Sequence, residues 1–552
     1  MPSQSVTTTL TRTITVAGGI FAPGHLGELT QYLPFELIDD VLTRTRTVQR
    51  RTRLLPSRVG VYFVLALAVF PTLGYERVWD KLIAGLGSLL PRRPSEKGLR
   101  DLRRRLGAAP LRALFEVVAG PLAQPATPGV CYRHWRTVAF DGCGSLQAPD
   151  QDRIRMRLGK FTRYRGGTEG YPHLRVVTLC ETGTRGLLGA VFGSIKRSET
   201  DYAATLVPLL NDTMLLLADR NFGGDDILTR VAASGAQLVV RLSSRRRPAV
   251  WATLPDGSVL TRINGYRFRI VDIQITATCA DGSRTGDRYR IITTLLNHRT
   301  DPAIQIARLY HERWEIESAF FALRHTMFRG RVLRSTDPVG LEQEMWAALT
   351  IYQTLRRAMC DAVETAPGTD PDRASFTVAM TAAINQIVTA TNITSNDSPE
   401  NAIARAVLEK LLPARRPRIS ARKVKCPMSR YGTALTGNRP TKSQAVIRLE
   451  LCALTDPQQT EAAEHPASTA DPGHRQQVLQ LLRTDPDRDW TPSEITQELK
   501  HVRYRSLCSQ IGRWTDQGFL DRIGRGRYRL NRQWLAPEPP QPDGDSTTDP
   551  TA

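Results

Sequence analysis

Met214-Leu215-Leu216-Leu217-Ala218-Asp219 is a run of five apolar residues closed by a carboxylate. A half-exposed strand alternates apolar with polar residues. An unbroken run this short suits a strand buried on both faces of a sheet. Asp219 then falls at the carboxyl end of the strand, where ligand sites of α/β sheets gather. Upstream, Thr137-Val138-Ala139-Phe140 ends in the same way at Asp141. Residues 174–179 and 186–192 read as two further strands, and 200–210 as a helix. Downstream come a helix over 226–233 and a strand over 237–242. Three strands, helix, strand, helix, strand is the order of a layered α/β sheet.

Residues 244–287 break that order. Pro255-Asp256-Gly257, Asn264-Gly265 and Ala280-Asp281-Gly282 are turn signals, and the stretches between them alternate apolar and polar residues. They predict a β-rich insertion. The layered pattern resumes with a strand over 291–296, a long helix from 302 and another over 342–357.

The segment Tyr310-His311-Glu312-Arg313-Trp314-Glu315-Ile316-Glu317-Ser318-Ala319-Phe320-Phe321-Ala322-Leu323-Arg324 belongs to the first of these helices. At about 100° per residue, Tyr310, Arg313, Glu317 and Arg324 share one stripe within about 60°, beside an apolar face. Glu312 and Glu315 point elsewhere. The spacing of Arg313 and Glu317 also suits an ordinary salt-bridged helix surface. A lone aspartate after a strand often only caps a turn. Together, though, Asp141, Asp219 and Glu317 make a candidate three-carboxylate cluster. Such hard oxygen donors suit Mg²⁺ or Mn²⁺.

The 552 residues carry 75 Lys and Arg against 54 Asp and Glu, a net charge of +21. That excess points to a polyanionic partner such as nucleic acid. Basic residues cluster at 44–58, at 92–105 and at 401–450, where twelve Lys or Arg stand against Glu409 and Glu450. The most apolar run, Val61 to Phe70, stops at Pro71. It is too short for the roughly 20 residues of a membrane span and reads as a buried helix. The N-terminus shows no signal-peptide pattern. The eight cysteines are scattered without a C-x-x-C pair, which argues against structural zinc and for reduced thiols. The expected location is the cytoplasm, in association with the nucleoid.

The organisation predicted is multidomain. It comprises a helical DNA-binding domain over 1–125, an α/β catalytic domain over 130–360 and a helical, basic DNA-contacting segment over 361–450. A linker over 451–473, a compact unit over 474–532 and a disordered tail over 533–552 follow. Within the compact unit, Thr491-Pro492-Ser493-Glu494 is a helix-start signal. Three helices and a basic hairpin there resemble a winged helix-turn-helix. Its candidate DNA contacts are Arg505, Gln510 and Arg513 on the third helix and Arg525 and Arg527 on the hairpin. Trp251 and Trp314 are candidates for stacking on an unpaired base, although a lone Trp more often lies in a core.

The stripe from Tyr310 to Arg324 also resembles the Y-x2-R-x3-E-x6-K signature of DDE transposases of the insertion-element-four family. Phe140-Asp141-Gly142 and Asp219-Arg220-Asn221-Phe222-Gly223 resemble that family's aspartate motifs. Residues 170–175 and 425–431 look familial too. Arg324 stands where the signature has Lys, a planar fork in place of a point charge. The compact unit over 474–532 lies beyond the family pattern. The resemblance implies a ribonuclease-H-like core with the β insertion between the second Asp and the Glu. It implies a metal triad of Asp141, Asp219 and Glu317 holding two Mg²⁺ or Mn²⁺ ions, with Tyr310, Arg313 and Arg324 on DNA phosphate. It further implies cut-and-paste transposition on double-stranded DNA by a homodimer. The rival readings are another ribonuclease-H-like nuclease and a catalytically inactive DNA-binding regulator.

Overall fold

The computed structural model describes residues 25–50, 55–85, 93–161, 170–243, 246–279, 284–313, 319–389, 401–413, 446–453, 474–499, 502, 504–524 and 526–535. Among these, eleven strands form one mixed sheet. They are β1 (Cys131–Tyr132), β2 (Trp135–Gln147), β3 (His173–Glu181), β4 (Leu187–Ser194), β5 (Met214–Ala218), β6 (Gln237–Leu242), β7 (Ala252–Thr253), β8 (Val259–Ile263), β9 (Tyr266–Cys279), β10 (Arg284–Thr293) and β11 (Val446–Ala453). The order is β4-β3-β2-β5-β6-β10-β9-β8-β7, with β1 on β2 and β11 on β9. The central strands β2, β5 and β6 run parallel, and β3 and β4 add antiparallel at one side.

β5 lies between β2 and β6 inside the sheet, and every one of its residues is buried. Successive side chains of a strand point to opposite faces. Leu215 and Leu217 therefore enter one apolar layer with Ala139 and Val239, while Leu216 and Ala218 enter the other with Phe140 and Val240. The second layer is closed by the helices Glu199–Ala204 and Asp225–Ala233. The first is far larger and includes the helix Ala303–His311, the long helix Pro338–Glu364 and the N-terminal helices.

The N-terminal region is helical, with Phe35–Arg44, Ser57–Val69, Tyr75–Ile83, Glu96–Leu106 and Ala109–Val118. The apolar run over 61–70 forms most of Ser57–Val69, nearly all of which is buried. No helix among the described residues is long and apolar enough to cross a membrane. These helices share one core with the sheet rather than standing apart from it. Part of the expected basic face is spent inside. Arg103 is buried and donates to Gln343 Oε1, Ser335 Oγ and the Gly340 carbonyl, and Gln343 donates back to the Arg103 carbonyl. A buried guanidinium needs such a set of acceptors. Arg58 pairs with Asp39 and lies over the Phe35 ring.

The insertion is strand-rich, as its turn signals predict. Asn264 and Gly265 both have positive φ, 48° and 83°, the conformation of a tight two-residue hairpin between β8 and β9. β9 is long enough to take two partners on one side, β8 along its first half and β11 along its second. The turn at 280–283 lies outside the described residues.

The helices His474–Thr484, Pro492–Glu498 and Tyr504–Asp516 and the hairpin β12 (Leu520–Gly524) and β13 (Arg527–Leu530) form the C-terminal unit. Thr491 and Glu494 make the reciprocal capping box read from the sequence. The boundary at 532 requires correction. Trp534 is buried edge-on against Phe519, so the packed unit continues to Leu535. The unit docks on the insertion. Trp251 donates from Nε1 to the Leu535 carbonyl, and Arg483 donates to the carbonyls of Trp251 and Trp534.

Candidate active site

Asp141 does not lie beyond a strand end, as the short run over 137–140 suggests. β2 continues to Gln147, pairing with β3 through a bulge after Cys143. What ends near Asp141 is the pairing with β5, whose last rung sets Ala139 beside Leu217. Two residues further on along these parallel chains stand Asp141 and Asp219. Adjacent strands lie about 4.8 Å apart. Asp141 shares its face with Ala139, and Asp219 with Leu217, so both carboxylates leave the sheet on the side of the helix Ala303–His311.

Each aspartate also serves its own backbone. Asp219 caps a 3₁₀ turn, Arg220–Phe222, its Oδ1 accepting from Asn221 N at 2.8 Å. Asp141 Oδ1 accepts from Gly142 N at 2.8 Å. The turn-capping role considered for an isolated aspartate is thus present at Asp219 and orients its side chain. Both residues are half-buried.

Tyr310 lies at the last turn of Ala303–His311, with its side chain buried. Burial is the main cause that raises its hydroxyl above the usual tyrosine range. Arg313 and Arg241 pull it down, and Asp219 pushes it up. The phenol therefore feels Asp219 and both cations at once. Arg313 is buried and its guanidinium lies 5.9 Å from the centre of the Tyr310 ring.

The uninterrupted helix over 310–324 requires correction. The α-helix ends at His311, and residues 314–318 lie outside the described residues, Trp314, Glu315 and Glu317 among them. The chain is helical again from 319 and widens into a π-helical turn, Ala322–Met327. Such turns shift the angle of every following side chain and recur at functional sites. Arg324 sits in it and donates to Ser145 Oγ at 2.9 Å, which brings it to the strand that carries Asp141. Its other nitrogen lies 3.1 Å from His325 Nε2.

Arg241 was not singled out by the sequence. The last β5–β6 rung sets Ala218 beside Val240, so Arg241 is level with Asp219 on the next strand. Its guanidinium lies 3.5 Å from the Tyr289 ring centre, and Tyr289 meets Tyr310 edge-on at 6.2 Å. In Val239-Val240-Arg241-Leu242 the arginine looks like a strand residue at a surface. Only the sheet order reveals its neighbour.

Trp251 is not an open stacking platform. It is buried between the insertion and the C-terminal unit, with the Arg262 guanidinium 4.4 Å from its ring centre. On the C-terminal unit, Arg513 and Arg527 are exposed and Gln510 is half-buried. Arg525 and residues 425–431 lie outside the described residues, and so does the side chain of Arg505. Among the described residues, no three His, Cys, Asp or Glu side chains gather closely enough to hold a metal. The two aspartates supply hard oxygen donors of the kind Mg²⁺ takes, and two such side chains fit it as a partial set.

Two family models match this chain. One describes the N-terminal region of insertion element 4 transposases and covers residues 23–116; the other describes the transposase DDE domain and covers 142–353. Together they span more than half of the chain. The transposase InsG for insertion sequence element IS4 from Escherichia coli K12 is 28% identical over 437 residues, 76% of this chain and 96% of the relative. The putative transposase InsZ of the same organism is 25% identical over 209 residues, 37% of this chain and 67% of the relative. Among solved structures, the piggyBac transposase synaptic complex with hairpin DNA aligns with 76% of this chain and 94% of its own at 8% identity, with a TM-score of only 0.34. With matches to both the N-terminal and the catalytic family models, and a relative matched along almost its entire length, the chain belongs to the DDE transposases of the insertion-element-four family.

Proposed function

We propose that this transposase works by cut-and-paste, cutting the element's terminal inverted repeats and joining the 3′-hydroxyl ends to target DNA through a two-metal centre. The observation that carries the reading is the pair of aspartates, Asp141 and Asp219, on adjoining strands and on the face that holds Tyr310 and Arg313. The core is ribonuclease-H-like in this reading. The β4-β3-β2-β5-β6 order supports that, with its parallel centre and two antiparallel strands at one side. Glu317 completes the triad, and it follows the helix whose last turn faces the aspartates. When bound, two Mg²⁺ or Mn²⁺ ions supply an activated water or 3′-hydroxyl and neutralise the leaving oxygen.

The chain's own residues do the rest. Asp219 is preset by its turn and Asp141 by its strand, so neither carboxylate has to be ordered when DNA arrives. Tyr310 donates its hydroxyl to a phosphate oxygen, while Arg313 and Arg324 neutralise phosphate charge from two sides. Arg241 balances the carboxylate charge beside Asp219. The C-terminal unit, a winged helix in this proposal, presents Arg513 and Arg527 to duplex DNA away from the cut. The protein acts as a homodimer on paired ends.

The test is incubation of the full chain with duplexes carrying the DNA that flanks its coding region, with Mg²⁺. Cleavage at the repeat ends, followed by joining to a target plasmid, is the expected result. Metal-independent cutting, or binding without cutting in every divalent ion, rejects the proposal.

A further inference from the structure

We infer that Glu199 is a positioning residue for the metal-binding aspartates, clamping the strand of Asp141 to the turn of Asp219; this rests on the metal chemistry proposed above. Glu199 opens the helix Glu199–Ala204 but is not needed to start it. Ser198 and Asp201 already form the reciprocal capping box there. Its carboxyl group instead reaches from the middle of β2 to the turn that follows β5. A Cβ added at Gly142 would stand 2.9 Å from Glu199 Cδ and 3.0 Å from its Oε1, so the carboxyl group lies directly against the β2 backbone next to Asp141. Glu199 Oε2 accepts from Asn221 Nδ2 at 3.4 Å, and the backbone N–H of Asn221 is the donor that holds Asp219. Arg175, on β3, steadies the other oxygen with Nε at 3.9 Å from Oε1.

One side chain thus touches the residue after the first aspartate and the residue that fixes the second. Gly142 is the neighbour that this contact requires. Its φ lies outside the left-handed region, so the backbone itself would accept alanine. The constraint at that position is the space that Glu199 occupies. Partners standing behind metal ligands commonly set affinity by tenfold to a hundredfold, because they fix the direction of ligand lone pairs.

The test is Mn²⁺ binding to the full chain, read as loss of the free-ion signal in electron paramagnetic resonance, beside thermal melting. Asp141→Asn is the control and is expected to lose binding. Glu199→Ala is expected to weaken Mn²⁺ binding by about tenfold to a hundredfold with little change in melting. Gly142→Ala is expected to do the same by displacing the carboxyl group. The double variant is expected to bind no more weakly than Glu199→Ala alone, since removing the side chain removes the collision. Glu199→Gln, which keeps the acceptor for Asn221 but loses the charge facing Arg175, is expected to fall between. Wild-type affinity in Glu199→Ala overturns the inference, and so do independent, multiplying losses in the double variant. If wild-type protein takes up no Mn²⁺, or Asp141→Asn takes up as much, the metal reading itself fails and the role of Glu199 falls with it.

Discussion

Asp141, Asp219 and Glu317 carry the sharpest expectation at the scale of single residues. Asp141→Asn, Asp219→Asn and Glu317→Gln should each cut cleavage below roughly a thousandth of wild type, since each removes a charge from the proposed metal centre. Melting and end binding should change little. Glu312→Gln and Glu315→Gln should stay near wild type; loss confined to Glu315→Gln would move the third ligand. Arg324→Ala should lower strand transfer by about tenfold to a hundredfold and Arg324→Lys by less, because charge supplies most of a phosphate contact and the fork adds the remainder. Tyr310 belongs with these. Burial and Asp219 hold its hydroxyl above the ordinary range near 10, so the phenol keeps its proton throughout the neutral and mildly alkaline range. The loss in Tyr310→Phe, about tenfold for a donor to a charged oxygen, should therefore be the same at pH 7 and pH 9. A loss that grows with pH in that interval would mean that the hydroxyl ionises. The candidate positions of Asp141, Asp219 and Tyr310 stand out in the sequence because apolar runs mark β2 and β5 and helical spacing marks Ala303–His311. Arg241 and Glu199 do not. Their importance comes from strand order and from a side chain crossing between elements, which no local spacing encodes.

At the scale of elements, the sequence predicted kinds better than ends. The apolar run predicts only Thr137 to Phe140 for β2, because Gly142-Cys143-Gly144-Ser145 lacks apolar alternation. The strand continues because β3 pairs with it through the bulge. The stripe over 310–324 assumes one constant pitch, whereas the described part includes a π-helical turn that tertiary contact of Arg324 with Ser145 accompanies. The dock between the insertion and the C-terminal unit was not legible at all. Trp251 stands just before β7 in the apolar run Ala249-Val250-Trp251-Ala252, and its hydrogen-bond partners in the C-terminal unit lie more than 200 positions away. Removing everything from residue 474 should therefore uncover Trp251. The expected readings are a red-shifted tryptophan emission and a lower melting temperature, with metal-dependent cleavage of short end duplexes retained. Unchanged emission would contradict the dock. The fragment over 474–535 should bind duplex DNA with strong salt dependence. Replacing Arg525 and Arg527 with Ala should flatten the logarithmic salt slope by about one to two units. Binding indifferent to salt would assign the unit to protein contacts instead.

The whole molecule is organised around the large layer that joins the N-terminal helices to the sheet, and a buried histidine next to Leu26 of that layer should shape its acid response. His25 is fully buried, its Nε2 2.6 Å from the Leu82 carbonyl and its Nδ1 3.3 Å from Gly27 N. Burial depresses its pKa from the ordinary 6.5 to about 4, against the Leu82 carbonyl, which raises it. The unfolded chain thus takes up the proton first. Stability contributed by neutral His25 is complete above about pH 6.5 and is lost as pH falls toward 4, on the order of 3 kcal/mol at most. Melting temperature should drop between pH 7 and pH 5, and the drop should shrink in His25→Gln; an equal drop in the variant would place the titrating group elsewhere. The same layer was only half legible. The buried helix was evident from Val61–Phe70, but separate N-terminal and catalytic domains were expected, and Arg103 and Gln343 bond across that divide.

That shared layer also sets a timetable. Leu26, Leu29 and Ile38 pack in the same layer as Ile387, Ile403 and Val407, and Glu28 Oε2 accepts from Ile403 N at 3.0 Å. A ribosome adds about 5 to 20 residues per second. Roughly 15 to 60 seconds therefore separate the emergence of the last N-terminal helix from that of residue 407. The early helices pack on one another, and throughout that interval only the part of their apolar surface that meets residues 387–407 waits for partners not yet made. Termination before residue 402 leaves Leu26, Leu29 and Ile38 without Ile403 and Val407, and Glu28 without the Ile403 N–H from which it accepts.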